Sequence, residues 1–139
     1  MKKILIIDDE QFNIESVKII LEYQGGIYNI ETVGSTALNG LEAVNLIKKN
    51  VEDNNGTFSN YPLILTDLNM PVMDGNTAAL QIREYLYNKG LEQPIIIAIT
   101  GHCEDTFVKE ALKDGINMVV GKPLKYEYLK EVLMRLGYV

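Results

Sequence analysis

The 139 residues suffice for one domain around one core, and with 47% hydrophobic and 23% charged residues the composition excludes a disordered or collagen-like chain. A net charge of -6 repels a phosphate backbone, so no nucleic-acid partner is expected. Cys103 is the only cysteine, which excludes an internal disulfide, and no apolar run nears the roughly 18 residues of a membrane span, so a cytoplasmic protein with no membrane partner is expected.

Along the chain, short apolar runs alternate with stretches of helical periodicity, the pattern of a parallel sheet covered on both faces. Ile4 to Ile7 reads as a buried strand, and the run stops at Asp8-Asp9-Glu10, too soon for a secretory signal. A helix from about Phe12 to Tyr23 places Val17, Ile20 and Leu21 on one face and ends at Gly25-Gly26. The second strand is expected near Tyr28 to Val33, followed by a helix from about Asn39 to Lys49 with an apolar stripe of Leu41, Val44 and Ile47. Asn50 to Asn60 is rich in turn residues and reads as a long exposed loop, a tolerated insertion whose Asn55-Gly56-Thr57 sequon is plain polar sequence. Leu63-Ile64-Leu65 forms a third strand running into Asp67, and Met70 to Gly75 links it to a helix over Asn76 to Tyr87. Ile95 to Ile99 is the strongest strand signal. Asp105 to Lys113 follows as a helix stopped by Gly115, then Met118 to Val120 as a strand and Tyr126 to Leu136 as the closing helix. No repeat interrupts this order, so residues 1–139 read as a single α/β domain.

Open parallel sheets bind ligands beyond the carboxyl ends of their strands. The chemistry-bearing residues fall there: Asp8 and Asp9 after the first strand, Asp67 after the third, Thr100 after the fourth and Lys122 after the fifth. One such residue is unremarkable, because Asp and Thr are common at loop starts, but an acidic pair, a lone Asp, a Thr and a Lys-Pro at four strand ends form a constellation. Three converging carboxylates need a cation, and oxygen donors without a His/Cys set favour Mg²⁺ over zinc. A carboxylate nucleophile can accept a phosphoryl group if positive charge neutralises the transferring oxygens, which Mg²⁺ and Lys122 can supply. Thr100 can donate a hydroxyl hydrogen bond, and Gly101 leaves room for close approach.

Through Ile6-Ile7-Asp8-Asp9-Glu10, Thr66-Asp67-Leu68-Asn69-Met70-Pro71-Val72-Met73-Asp74-Gly75, Ile99-Thr100-Gly101 and Lys122-Pro123, the chain resembles the response-regulator receiver family over nearly its whole length. The resemblance implies a flavodoxin-like (βα)5 doubly wound sheet in strand order 2-1-3-4-5. It also implies phosphorylation of Asp67 by a histidine kinase or histidine phosphotransfer protein, in a two-component system or phosphorelay. By the same resemblance Asp9, Asp67 and the backbone carbonyl of Asn69 bind Mg²⁺, with Mn²⁺ able to substitute, and Asp8 acts through water. Lys122 contacts the phosphoryl group, Asn69 and Gly101 help to cradle it, Thr100 is the switch residue, and the Lys122-Pro123 peptide is expected to be cis. Such a domain catalyses its own phosphorylation and dephosphorylation without turning over an external substrate.

One position departs from the family pattern: many members carry an aromatic residue three positions before the lysine, where this chain has Val119. Asn13 and the run from Asp67 to Gly75 look more like receivers fused to hybrid histidine kinases than like those driving transcription. The first helix, beginning near Phe12 and Ile14, is the expected docking face for the phosphodonor, and the fourth and fifth helices are candidates for homodimerisation. His102 reads as a solvated residue at the site's mouth, placed to influence water attack, and Cys103 as a small inert residue. Gly115 to Lys122 fails the P-loop spacing, and no G-x-G-x-x-G follows a strand. Two other readings are a phosphatase or phosphotransferase using Asp67, against which Asn69 stands where a second acid is needed, and an unphosphorylated pseudo-receiver.

Overall fold

The computed structural model describes every residue from Met1 to Val139. Four aliphatic residues, Ile4–Ile7 (β1), form an inner strand of a five-stranded sheet, every one of them buried. β1 pairs in parallel with Gly34–Ala37 (β2) on one side and Leu63–Thr66 (β3) on the other. Ile95–Thr100 (β4) and Met118–Gly121 (β5) extend the sheet, giving the order β2-β1-β3-β4-β5 that the resemblance implied.

Side chains alternate across the sheet, so each strand feeds two cores. Leu5, Ile7, Ile64, Ile96 and Ala98 pack against Gly40–Asp53 (α3), Gly75–Asn88 (α4) and the buried Ala111 of Asp105–Lys113 (α5). Ile4, Ile6, Leu63, Leu65, Ile97 and Ile99 face Gln11–Ile19 (α1), the short turn of helix Ile30–Val33 (α2) and Lys130–Arg135 (α6).

The structure corrects the expected second strand. Tyr28 to Val33 holds no strand, and β2 begins only at Gly34. Ile27, Ile30 and Val33 recur every third residue, which suits one face of a helical turn, and all three are buried in the α1 core. β2 leaves no strand signal in the sequence because it is an edge strand of small and polar residues, Gly-Ser-Thr-Ala, which lacks an aliphatic run. A Cβ on Gly34 would meet the Ile30 carbonyl oxygen at 2.8 Å, so the change from helix to strand requires glycine there.

Smaller differences have local causes. α1 continues into a π-helical turn, Ile20–Gln24, closed by the Gly25 N–H on the Ile20 carbonyl at 3.0 Å. Leu41 is exposed, and the buried stripe of α3 is Ala43, Val44, Ile47 and Val51. α3 is also longer than expected, reaching Asp53. Asn39 caps its start by accepting from the Glu42 N–H at 2.9 Å, and Gly56 closes its end on the Val51 carbonyl at 2.8 Å. The remaining loop is braced: the side-chain amides of Asn50 and Asn54 both donate to Asn60 Oδ1, at 2.9 and 2.8 Å. The closing helix is shorter than expected, a 3-10 turn over Tyr126–Tyr128 preceding α6.

Candidate functional site

The backbone ladder runs one residue past the strands and fixes the site residues at the carboxyl edge. Asp8 N–H donates to the Ala37 carbonyl at 3.1 Å, Asp67 N–H to Ile7 at 2.9 Å, and Lys122 N–H to Thr100 at 2.9 Å. Adjacent parallel strands thereby bring β1 and β3 ends together, and one carboxylate oxygen each from Asp8, Asp9 and Asp67 lie within 4.8 Å of one another. Asp8 is buried, and its Oδ1 accepts from the Glu10 N–H at 3.0 Å and from Asn13 Nδ2 at 3.4 Å. Asp67 Oδ1 accepts from the Leu68 N–H at 2.7 Å.

Lys122 Nζ bridges the cluster, 3.1 Å from Asp67 Oδ2 and 3.3 Å from Asp8 Oδ2. Partial burial on its own would lower the pKa of this ammonium, but its hydrogen bonds and attraction to Asp67, and then to Asp8, outweigh burial and leave it raised. One ammonium against three carboxylates leaves the pocket short of positive charge. A second, hard cation with oxygen ligands fits that deficit and this donor set. Thr100 is buried, its Oγ1 accepting the His102 N–H at 3.2 Å. A Cβ on Gly101 would meet nothing within 4 Å, so the space above it is open to solution. The Lys122-Pro123 peptide is cis.

Two contributors were invisible in the sequence. Gly75, the last residue of the Asp67 to Gly75 run, donates its N–H to the Leu68 carbonyl at 2.9 Å, and a Cβ there would collide with the Asp67 carbonyl oxygen. Gly40 presses on the same loop from α3, donating to the Met73 carbonyl at 2.9 Å, where a Cβ would be 2.7 Å from that oxygen. Gly40 depends on backbone of a distant segment, which leaves no trace in the sequence, whereas Gly75 closes its own loop on Asp67 and Leu68, and the Met-Asp-Gly turn hinted at it. The loop also holds Val72 in the left-handed region at φ 69°, with Met73 N–H bonded to the Pro71 carbonyl at 2.8 Å. Beside the carboxylates, a cavity of about 350 Å³ runs between α1 and Leu124, lined by Phe12, Val17 and Ile20 and reaching Asp67.

The acidic trio, the lysine and the threonine lie beyond the carboxyl ends of a doubly wound parallel sheet, where this class of α/β fold binds its ligands. The chain belongs to the response regulator receiver domain family, whose pattern matches residues 4–134. It is 35% identical over 131 residues to the osmosensing histidine protein kinase SLN1 of Saccharomyces cerevisiae, covering 94% of this chain and 10% of that one. The chain therefore spans about a tenth of that relative. Among solved structures, it superposes on the receiver domain of Ssk1, co-crystallised with the histidine phosphotransfer signaling protein Ypd1 of Saccharomyces cerevisiae. The TM-score is 0.76 at 27% identity, with 99% of this chain and 89% of that one covered. The receiver domain of the sensor histidine kinase PA1611 of Pseudomonas aeruginosa, with magnesium in its active site cleft, matches at TM-score 0.71 and 25% identity, covering 96% and 95% of the two chains.

Proposed function

We propose that Asp67 accepts a phosphoryl group from a phosphohistidine donor and that the domain serves as a relay or switch in a phosphorelay. The observation that carries this reading is the trio Asp8, Asp9 and Asp67 within 4.8 Å, with Lys122 Nζ 3.1 Å from Asp67 Oδ2. In the reaction, an Asp67 carboxylate oxygen attacks phosphorus, the P–N bond to the donor imidazole breaks, and the P–O bond of an acyl phosphate forms. Asp67 Oδ1 is held by the Leu68 N–H, which leaves Oδ2, now on Lys122, as the attacking atom. Lys122 follows the charge onto the phosphoryl oxygens, and the hydroxyl of Thr100 and the backbone beside Asn69 and Gly101 donate to the others.

Asp9, Asp67 and the Asn69 carbonyl would hold Mg²⁺ (or Mn²⁺), with Asp8 acting through a water, and the ion when bound would supply positive charge against the transferring oxygens. The donor is a histidine kinase or a phosphotransfer protein like the one bound to Ssk1, seated on α1 over Phe12. Phe12 is 79% exposed and suits such contact, whereas Ile14 is fully buried and can only support the helix from beneath. Homodimerisation and a cytoplasmic setting belong to the same reading. A turnover phosphatase is disfavoured because Asn69 cannot donate the proton a second aspartate would.

The test is incubation with Mg²⁺ and acetyl phosphate followed by intact mass. The wild type should gain one phosphoryl group and Asp67→Asn none. No adduct on the wild type, or equal labelling of Asp67→Asn, refutes the reading and favours the pseudo-receiver.

A further inference from the structure

Val119 leaves this receiver without an aromatic side chain three residues before Lys122, yet an aromatic contact does lie one step from Thr100, on another element. Thr100 Oγ1 accepts the His102 N–H at 3.2 Å, and the His102 imidazole rests on the Phe107 ring, with centroids 5.2 Å apart and planes tilted by 34°. Phe107 is in the first turn of α5 and 46% exposed, so it can leave this contact without opening the core. Two further bonds hold the same turn: the Cys103 thiol donates to the Thr100 carbonyl at 3.8 Å, and Lys122 N–H donates to that carbonyl at 2.9 Å. The turn of residues 101–103 is thus fastened to Thr100 on one side and to α5 on the other.

We propose that Phe107 is a positioning residue that, through His102, fixes the resting placement of the Thr100 hydroxyl, and that phosphorylation separates His102 from Phe107. This rests on the phosphoacceptor reading of Asp67. A hydroxyl can donate and accept at once, but the Thr100 hydroxyl makes no hydrogen bond to Asp67, and swinging its oxygen toward a phosphoryl group at Asp67 carries Oγ1 away from the His102 N–H. The His102 side chain is 52% exposed, so its ring is free to move with the backbone once that bond is lost. Coupling is reciprocal: if the phosphoryl group breaks the stack, the stack opposes the phosphoryl group. Phe107, and not residue 119, then carries the state of Asp67 to the surface of α5.

His102 is the only histidine, so its ring-proton resonance is unambiguous. The experiment follows that resonance during titration of wild type, Phe107→Leu and Phe107→Tyr with Mg²⁺ and beryllofluoride, with acetyl phosphate labelling by intact mass in parallel. In the wild type the resonance should move as the Phe107 ring current is lost, and in Phe107→Leu that part of the shift should vanish. Removing the opposing contact should raise the apparent beryllofluoride affinity of Phe107→Leu by roughly two- to tenfold, the factor an aromatic pair can supply, and Phe107→Tyr should restore both readouts. A merely structural role for Phe107 lowers the melting temperature and does not tighten binding. Absence of label on the wild type refutes the phosphoacceptor reading itself. Normal labelling with an identical His102 shift and unchanged affinity in Phe107→Leu refutes the positioning role alone.

Discussion

Replacing Lys122 by Met keeps the stem and removes the charge that bridges Asp8 and Asp67. At 3.1 and 3.3 Å each pair is worth about 5 kcal/mol gross at an effective dielectric near 20. The Lys122 side chain is 30% exposed, so screening and desolvation remove most of that, leaving about 2 kcal/mol of net stability. The loss is conditional, because what the variant lacks is positive charge and not packing. In EDTA, urea denaturation should show Lys122→Met destabilised by about 2 kcal/mol with an unchanged slope. In millimolar Mg²⁺ the difference should shrink toward zero, since a divalent ion bound to the folded state replaces the missing cation. On the proposed function, phosphoryl acceptance should nonetheless fall by about 100-fold or more, since no ammonium would then face the phosphoryl oxygens. Equal destabilisation with and without Mg²⁺ would show that the cluster does not bind the ion with these carboxylates.

At the opposite edge of the sheet, Arg83 donates to the Gly115 and Pro94 carbonyls at 2.8 and 2.7 Å and to Asn117 Oδ1 at 2.6 Å. Arg83→Ala should cost about 3 kcal/mol, lowering the melting temperature by about 10 °C, and Arg83→Lys should recover less than half, because an ammonium cannot span three acceptors. Burial raises the Tyr138 hydroxyl pKa, and that hydroxyl donates to the Lys3 carbonyl at 2.6 Å. A pKa raised by folding gives stability that is complete below the unfolded tyrosine value of about 10 and is lost as pH rises through the folded value. Tyr138→Phe should therefore cost about 1 kcal/mol at neutral pH and flatten the decline of melting temperature at alkaline pH. The raised Lys122 pKa has the same sign, so the variant's remaining alkaline decline should lessen further when Lys122→Met is added.

Strands built from aliphatic runs were legible, because Ile4–Ile7 and Ile95–Thr100 are covered on both faces and admit no polar residue until they end. Their ends then located Asp8, Asp67 and Thr100. β2 was not legible: with one edge unpaired and Thr36 exposed, its composition is set by a glycine switch and a Ser35–Tyr61 hydroxyl contact of 2.6 Å, neither of which leaves a periodic trace. Leu41 misled because three apolar residues fit a helical stripe in more than one phase, and the phase was settled by Val51, beyond the expected end of the helix. Within the site, residue types were readable, whereas Gly40, which presses on the Asp67 loop, depends on a backbone contact with Met73 from another element.

The Tyr138 bond to Lys3, with Lys2 Nζ on the Leu136 carbonyl at 2.6 Å, stitches the two chain ends together where the strands begin, away from the carboxylates. Topologically the domain is close to a ring with its port on the far rim. Whatever is spliced to either end leaves from the same place and does not crowd the port, and a short bridge between the ends would let the ring be cut elsewhere, for instance near Gly56, without disturbing Asp67.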